Sequence, residues 1–243
     1  MTKTTSILAA VLLSAAALPS TANTLNFQQG LNGYTGTQDT NLSGRFPDQT
    51  GGGDQYLNVD AKDGSSPDPF GPVQALIRFD NVFGNGAGQI NPNMPISTAY
   101  LQIVVTGTGS GFTLNDMLVN WDPITATWNN MGGGIQANGT EASATPITIQ
   151  GVNDSNANVG LGTMQIDITA SLKAVKAGTL PGYGWVFLPL MPNGTLGLDF
   201  PSADITNIGQ RPLLSVTVDE PATLALLLPG FLLVGISRMR RRS

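Results

Sequence analysis

Two tryptophans, Trp121 and Trp128, are the side chains of this sequence best suited to bind a ligand. The flat face of an indole offers apolar surface on which a sugar ring can stack. The alternative is that both side chains are buried at the core or a corner of the fold, and residue type alone favours this structural role. Trp185 lies in an apolar run and is predicted to be a core residue. Trp121 and Trp128 are therefore the candidate ligand-binding residues.

A second candidate site consists of aspartates near one short loop. Asp60 and Asp63 lie at the end of a predicted strand, and Asp39 flanks another strand that could lie nearby. Calcium takes about six to eight oxygen ligands, which loop carbonyls and two or three carboxylates could supply. Aspartate side chains also cap turns by bonding to nearby backbone, and this ordinary role is the alternative. Asp39, Asp60 and Asp63 are the candidate calcium ligands, and no other cofactor is predicted.

The chain contains no histidine and no cysteine, which excludes several kinds of chemistry. Ser-His-Asp and Cys-His nucleophilic sites cannot form, and neither can thiolate or imidazole metal sites or disulfides. Glycoside cleavage remains chemically possible, because it needs only two carboxylates about 5 to 10 Å apart. No catalytic motif is present, so we predict that the protein is not an enzyme. Polysaccharide cleavage by paired carboxylates is kept as an alternative.

The charge of residues 23–218 is strongly negative. Six basic and 14 acidic side chains give this segment a net charge of −8. Nucleic-acid binding needs a basic face, so no nucleic-acid partner is expected. An acidic surface is compatible with calcium.

The mature chain, which positions these candidate residues, is predicted to consist of short strands separated by turns rich in Gly, Asn, Thr and Pro. In the strands predicted at 74–80 and 98–106, apolar and polar residues alternate, which indicates one buried face. One helix is predicted at 170–177, ended by Gly178. The other predicted strands are 56–60, 112–119, 164–169, 184–190, 196–200 and 213–218.

These elements show no regular alternation of strands and helices and no internal repeat. The sequence therefore predicts an all-β fold, an antiparallel β-sandwich that is jelly-roll-like. The sandwich domain is expected to span residues 23–218.

The N-terminal residues are typical of a secretory signal peptide. Lys3 supplies the positive charge, residues 7–18 are apolar, and Ser20-Thr21-Ala22 offers a small-x-small cleavage site. Residues 1–22 are the predicted signal peptide, with cleavage after Ala22. The mature protein is thus expected outside the inner membrane.

Residues 219–243 contain three ordered features: the acidic-proline motif Asp219-Glu220-Pro221, an apolar run at 222–236, and an Arg cluster. As a helix, the apolar run would cover roughly 22 Å, less than the bilayer core of about 30 Å. Pro229-Gly230 inside the run disfavours a lasting helix. This layout resembles the PEP-CTERM sorting tail, with Asp219 in place of the usual first proline. The alternative is an ordinary membrane anchor with a single span.

The PEP-CTERM resemblance implies an exosortase partner that removes the tail. It also implies transient insertion of the C-terminal hydrophobic helix into the inner membrane. The Arg cluster would remain cytoplasmic by the positive-inside rule. The protein would then reach the cell surface or the extracellular medium after processing.

The mature chain is also similar to DNRLRE-type domains, because short motifs follow one another in the order seen there. The domains of this family are jelly-roll-like modules of secreted bacterial proteins, some of them similar to carbohydrate-binding modules. The resemblance implies binding or adhesion of exopolysaccharide, and a structural matrix protein without a specific ligand is the alternative. The motifs are Gln38-Asp39-Thr40, Ala75-Leu76-Ile77-Arg78-Phe79-Asp80, Ile96-Ser97-Thr98-Ala99-Tyr100-Leu101, Val119-Asn120-Trp121, Thr127-Trp128-Asn129, Ile166-Asp167-Ile168-Thr169, Tyr183-Gly184-Trp185 and Arg211-Pro212-Leu213.

Overall fold

The computed structural model describes residues 22–61, 71–152, 156–190 and 197–219. The described residues from Asn23 to Asp219 belong to one compact unit. The predicted signal peptide up to residue 21, Asp63, and the tail from Glu220 onward lie outside the described ranges. Within those ranges, no helix is long and apolar enough to cross a membrane.

Strands dominate the described part of the chain, as the sequence predicted. One α-helix, α1 (Thr169–Lys176), and two short 3-10 turns, Leu31–Gly33 and Ile208–Gln210, accompany them. The strands are β1 (Ala22–Phe27), β2 (Thr37–Ser43), β3 (Tyr56–Val59), β4 (Val73–Phe79), β5 (Ile96–Val105), β6 (Gly111–Asp116), β7 (Thr148–Gly151), β8 (Gly162–Asp167), β9 (Trp185–Pro189), β10 (Leu198–Pro201) and β11 (Leu213–Asp219).

The strands form three sheets. A four-stranded sheet has the order β1-β11-β5-β8, a five-stranded sheet has the order β2-β4-β9-β6-β7, and β3 pairs with β10. All strand pairs with a described register are antiparallel. The all-β, antiparallel prediction is therefore confirmed.

Four of these pairings are nested along the chain: β6 with β7, β5 with β8, β4 with β9, and β3 with β10. Strands β7 to β10 therefore pair with β6, β5, β4 and β3 in turn, in the reverse of the order in which those strands occur along the chain. The short β3–β10 sheet continues alongside β5, because the Thr106 N–H donates to the Asp199 carbonyl at 2.9 Å.

The main core lies between the sheets, as in a β-sandwich. Along β5, Ala99, Leu101, Ile103 and Val105 are buried while the residues between them are more exposed. This alternation confirms the predicted buried face of β5. From the opposite sheet, Ile77, Phe112, Leu114, Trp185 and Phe187 fill the same core.

β4 differs from the predicted one-sided alternation. Ala75, Ile77 and Phe79 face the main core as expected, but Leu76 is also fully buried. Leu76 belongs to a second cluster on the outer face of the five-stranded sheet, here called the minor core. β4 is buried on both faces because a chain segment covers that outer face. The minor core consists of Leu42, Leu76, Met117, Trp121, Ala126, Ile135, Ala142 and Val186.

The helix prediction is confirmed with a start one residue earlier. The Asp167 carboxylate accepts the Thr169 backbone N–H at 2.8 Å and so begins α1. Gly178 follows the helix with a φ of 74°, a left-handed conformation that glycine adopts without strain. β1, β2 and β7 were not among the predicted strands, and the four residues of β7 are half-buried or exposed and show no apolar face.

Candidate functional site

The segment between β6 and β7, residues 117–147, forms no helix or strand of its own and covers the minor core. Loops of this length without secondary structure are uncommon in compact domains. Gln74 on β4 anchors the segment, because its side chain bonds both backbone groups of Ile135. Its amide donates to the Ile135 carbonyl at 3.1 Å and its Oε1 accepts the Ile135 N–H at 2.7 Å. The segment, here called the covering loop, contains both candidate tryptophans.

Trp121 lies inside the minor core and is only 4% exposed. Its Nε1–H donates to the Tyr183 carbonyl at 2.8 Å. The Arg78 guanidinium lies over the indole, 4.9 Å from the ring centroid. Because little of the ring is open to solvent, this geometry favours the structural interpretation of Trp121 over sugar stacking.

Trp128 is half-buried and packs against the minor core. Its benzene ring lies against Gly134, where a Cβ would come within 2.5 Å of the ring. The N–H groups of Gly133 and Gly134 donate to the Trp128 carbonyl at 2.9 and 3.1 Å. A tight glycine turn therefore folds back over this tryptophan, which also favours a structural role. Trp185 is 4% exposed in the main core, so its predicted core position is confirmed.

Arg78 joins two motifs that are distant in sequence. Its Nε lies 2.7 Å from an Asp80 carboxylate oxygen, and one terminal nitrogen donates to Asn120 Oδ1 at 3.1 Å and to the Trp121 carbonyl at 2.8 Å. A guanidinium that binds several acceptors in one plane fixes the relative positions of their segments. These motif residues thus bond to each other, which gives them a structural role.

Asp39 is buried, and one of its carboxylate oxygens bonds to the backbone. It is 4% exposed on β2, and its Oδ2 accepts the Ala203 backbone N–H at 2.7 Å. Burial raises the pKa of Asp39 to about 7, the Ala203 bond opposes this, and the negative charges of Asp204 and Asp54 raise it further. Asp39 therefore anchors the segment after β10, and no basic side chain in the described ranges forms a salt bridge with this buried carboxyl.

The predicted calcium ligands are not assembled into a site by the described residues. Asp60 pairs through its backbone with Val73, and Asp63 lies outside the described ranges. In the part of the chain that the structure describes, no group of three acidic side chains is arranged to hold a metal ion. In the sorting motif, Asp219 ends β11, while Glu220 and Pro221 are not described.

A polar cavity of about 370 Å³ opens between the turn after β2 and the strands β3 and β4. Phe46 lines this cavity and is 46% exposed, so its ring is accessible to a ligand. The Arg45 guanidinium lies over the Phe46 ring, 4.9 Å from its centroid. This cavity is here called the Phe46 cavity, and its lining consists of Asn41, Ser43, Arg45, Phe46, Gln49, Thr50, Gly51, Asp54, Asn58 and Val73.

The amides at the base of the Phe46 cavity are held in fixed orientations. Asn41 donates to Asp54 Oδ2 at 2.8 Å and to the Tyr56 carbonyl at 2.9 Å, and its Oδ1 accepts the Asn58 N–H at 3.0 Å. An aromatic ring beside fixed amide, carboxylate and guanidinium groups matches the mixed surface of a sugar. Sequence reasoning missed Phe46 and Arg45, because residues 43–54 show only a turn-rich composition.

One pair of carboxylates shares a cavity, as carboxylate catalysis would require. Asp116 and Asp167 both line a broad open cavity of about 790 Å³ beside α1. Burial raises the pKa of Asp116, whereas hydrogen bonds from Thr169 lower the pKa of Asp167. Asp116 accepts a bond from the Ser171 hydroxyl, and Asp167 holds the start of α1. Both carboxylates thus have structural partners, which favours the non-enzymatic interpretation.

Comparison with known proteins assigns no family to this chain. No protein-family model matches the sequence, and no curated protein matches it. Functional inference therefore depends on the sequence motifs and on the geometry described above.

Proposed function

We propose that this protein is exported, is not an enzyme, and binds or organises exopolysaccharide at the cell surface or in the extracellular matrix. An exosortase system would process its C-terminal tail. The Phe46 cavity is the observation that carries the binding proposal. It replaces Trp121 and Trp128 as the preferred sugar-binding position, because those two rings pack inward.

The proposed fold is a jelly roll rather than another β-sandwich. The nested pairs from β6–β7 outward to β3–β10 support it, since two Greek keys wound together give this pairing. β1, β2 and β11 would be additions to the eight-stranded framework. Lectin domains are among the proteins that use this architecture, which agrees with a binding role.

Charge and residue type in the Phe46 cavity support a polyhydroxylated ligand. Asn58 and Gln49 offer amide donors and acceptors to sugar hydroxyls, and Asn41 Oδ1 and the Asp54 carboxylate offer acceptors. Phe46 would supply apolar contact with the ring carbons of the sugar. A sugar that covers the exposed Phe46 ring would bury apolar surface of both the ring and the sugar, which makes a favourable hydrophobic contribution to the free energy of binding.

Phe46→Ala should abolish polysaccharide binding while leaving stability unchanged, because the ring is exposed and outside both cores. Calorimetric titration with the polysaccharide of the producing cell, with and without calcium, measures the affinity. Ile208→Ala, which removes a side chain of similar exposure (42%), is the matched control and should bind normally. Absence of wild-type binding under both conditions would contradict the proposal.

The alternative is a matrix protein without a specific ligand. The packing of Trp121 and Trp128 agrees with it, since Trp121 is buried in the minor core and Trp128 packs against that core. Absence of polysaccharide binding by the wild type would favour this alternative, whereas equal affinity of wild type and Phe46→Ala would place the binding site elsewhere on the protein. Polysaccharide cleavage would instead appear as shortened chains after incubation, with a loss of that activity in Asp167→Asn.

Processing at both ends should be visible in the mass of the exported protein. Cleavage after Ala22 would leave Asn23 at the N-terminus, and exosortase processing would end the chain near Asp219. Intact-mass spectrometry of the secreted fraction measures both ends. A chain that retains residues 222–243 in the membrane fraction would instead indicate the single-span anchor.

A further inference from the structure

A second cavity, separate from the Phe46 cavity, opens beside α1. It has a volume of about 300 Å³ and shares no lining residue with the Phe46 cavity. Its walls are mainly aromatic and aliphatic, with Phe83 and Tyr183 half-buried. This cavity is here called the Asp116 cavity, and its apolar lining includes Phe79, Phe83, Val175, Leu180, Tyr183 and Trp185.

Asp116 supplies the one carboxylate of this mainly apolar cavity, whose other polar side chains are those of Arg78 and Asn81. It ends β6, and its Oδ1 accepts the Ser171 hydroxyl, which in turn accepts the Trp185 indole N–H at 2.9 Å. Burial raises the pKa of Asp116, and the bonds from Ser171 and Trp185 oppose this. These neutral donors stabilise the carboxylate only in part, and its remaining lone pairs can accept further bonds.

No described basic side chain pairs with Asp116. Within the described ranges the one salt bridge joins Arg78 to Asp80, although Arg78 also lines the cavity. The Lys176 ammonium donates to the Met94 carbonyl. Lys173 lines the neighbouring open cavity, which Asp116 also reaches, and its charge acts on Asp167. A partly buried carboxylate without a cation is costly, and a cationic ligand would offset that cost.

We propose that the Asp116 cavity binds the ammonium group of a small organic amine, with its carbon stem against the aromatic and aliphatic walls. An ammonium group is attracted to carboxylates and to aromatic faces. The apolar walls would bury the stem of the ligand and disfavour a hydrated metal ion, which needs several oxygen ligands. The net charge of −8 on residues 23–218 would also attract a cation. This site does not depend on the proposed polysaccharide binding.

Cyclohexylammonium is the probe, and cyclohexanol is its neutral counterpart of the same shape. Calorimetric titration of the full chain should show binding of cyclohexylammonium. The affinity for cyclohexanol should be lower by a factor of about ten or more, because only the cation pairs with Asp116. Glucosamine and N-acetylglucosamine form a second pair, which tests whether an amino sugar can supply the ammonium group. Binding of glucosamine alone within this pair would assign the site to amino sugars, and binding of cyclohexylammonium alone to amines with apolar stems.

Asp116→Asn should weaken cyclohexylammonium binding about tenfold or more, since the amide keeps the shape but removes the charge. Asp122→Asn removes an exposed acid on the covering loop and is the matched control. Val175→Phe places a larger side chain in the cavity from α1 and leaves Asp116 in place, so it should also abolish binding. This variant tests the site independently if Asp116→Asn fails to fold. Equal binding of amine and alcohol, or unchanged binding by both variants, would overturn the proposal.

Discussion

Trp121→Ala should lower the free energy of unfolding by about 3–5 kcal/mol, the usual range for removing a buried tryptophan. The change empties the centre of the minor core, because Trp121 packs there at 4% exposure. It also removes the hydrogen bond from the indole N–H to the Tyr183 carbonyl. The cation–π contact between the Arg78 guanidinium and the indole ring is lost as well. For a domain of this size the expected fall in Tm is roughly 6–20 °C, measured by thermal unfolding.

Ile124→Ala is the matched control for the covering loop. Ile124 is 76% exposed in the same loop, so its truncation should change Tm little. If Trp121→Ala kept its Tm but lost polysaccharide binding, Trp121 would be a ligand-binding residue and the structural interpretation would be wrong. Loss of stability with retained binding per folded molecule supports the assignment to the minor core.

Asp39→Asn should stabilise the protein above pH 7 and have little effect near pH 4. Burial raises the pKa of Asp39 to about 7, whereas the unfolded chain releases this proton near the ordinary aspartate value of about 3.9. Between those values the folded state binds the proton and the unfolded state does not. Stability therefore falls as the pH rises from about 4 to about 7 and stays lower above that window.

The amide removes this pH dependence because it is neutral at every pH and its Oδ1 can still accept the Ala203 N–H. A pKa difference of this size corresponds to roughly 4 kcal/mol as an upper bound for the stabilisation at high pH. Urea unfolding of both proteins at pH 4, 6 and 8 measures the difference. Asp122→Asn removes one negative charge from an exposed side chain, and it therefore controls for the change in net charge. A variant less stable than wild type at pH 8 would contradict the expected role of Asp39.

The local periodicity of the sequence predicted individual elements well. In β5 the apolar side chains alternate along the strand, and α1 ends at Lys176, shortly before Gly178. These signals are local, because a buried face or a helix end requires particular residues within a few positions. The same local information could not find β7, whose four residues lie at the edge of a sheet without an apolar face.

β4 shows where local information ends. The sequence indicated one buried face, but Leu76 on the other face is fully buried because the covering loop packs over it. The spacing of residues 74–80 does not indicate that the covering loop, more than forty positions further along the chain, will pack on the outer face of β4. Contacts of that separation depend on the topology of the sheets.

The sequence by itself determined an all-β, antiparallel fold, the position of its single described helix, and the absence of histidine and cysteine chemistry. Only the tertiary structure decided which aromatic side chains face solvent. Trp121 and Trp128 turn inward because the covering loop folds onto the outer face of the sheet, while Phe46 stays exposed at a cavity formed by β2, β3 and β4. Residue type sets what a side chain can contact, but burial is set by segments that meet only when the strands pair.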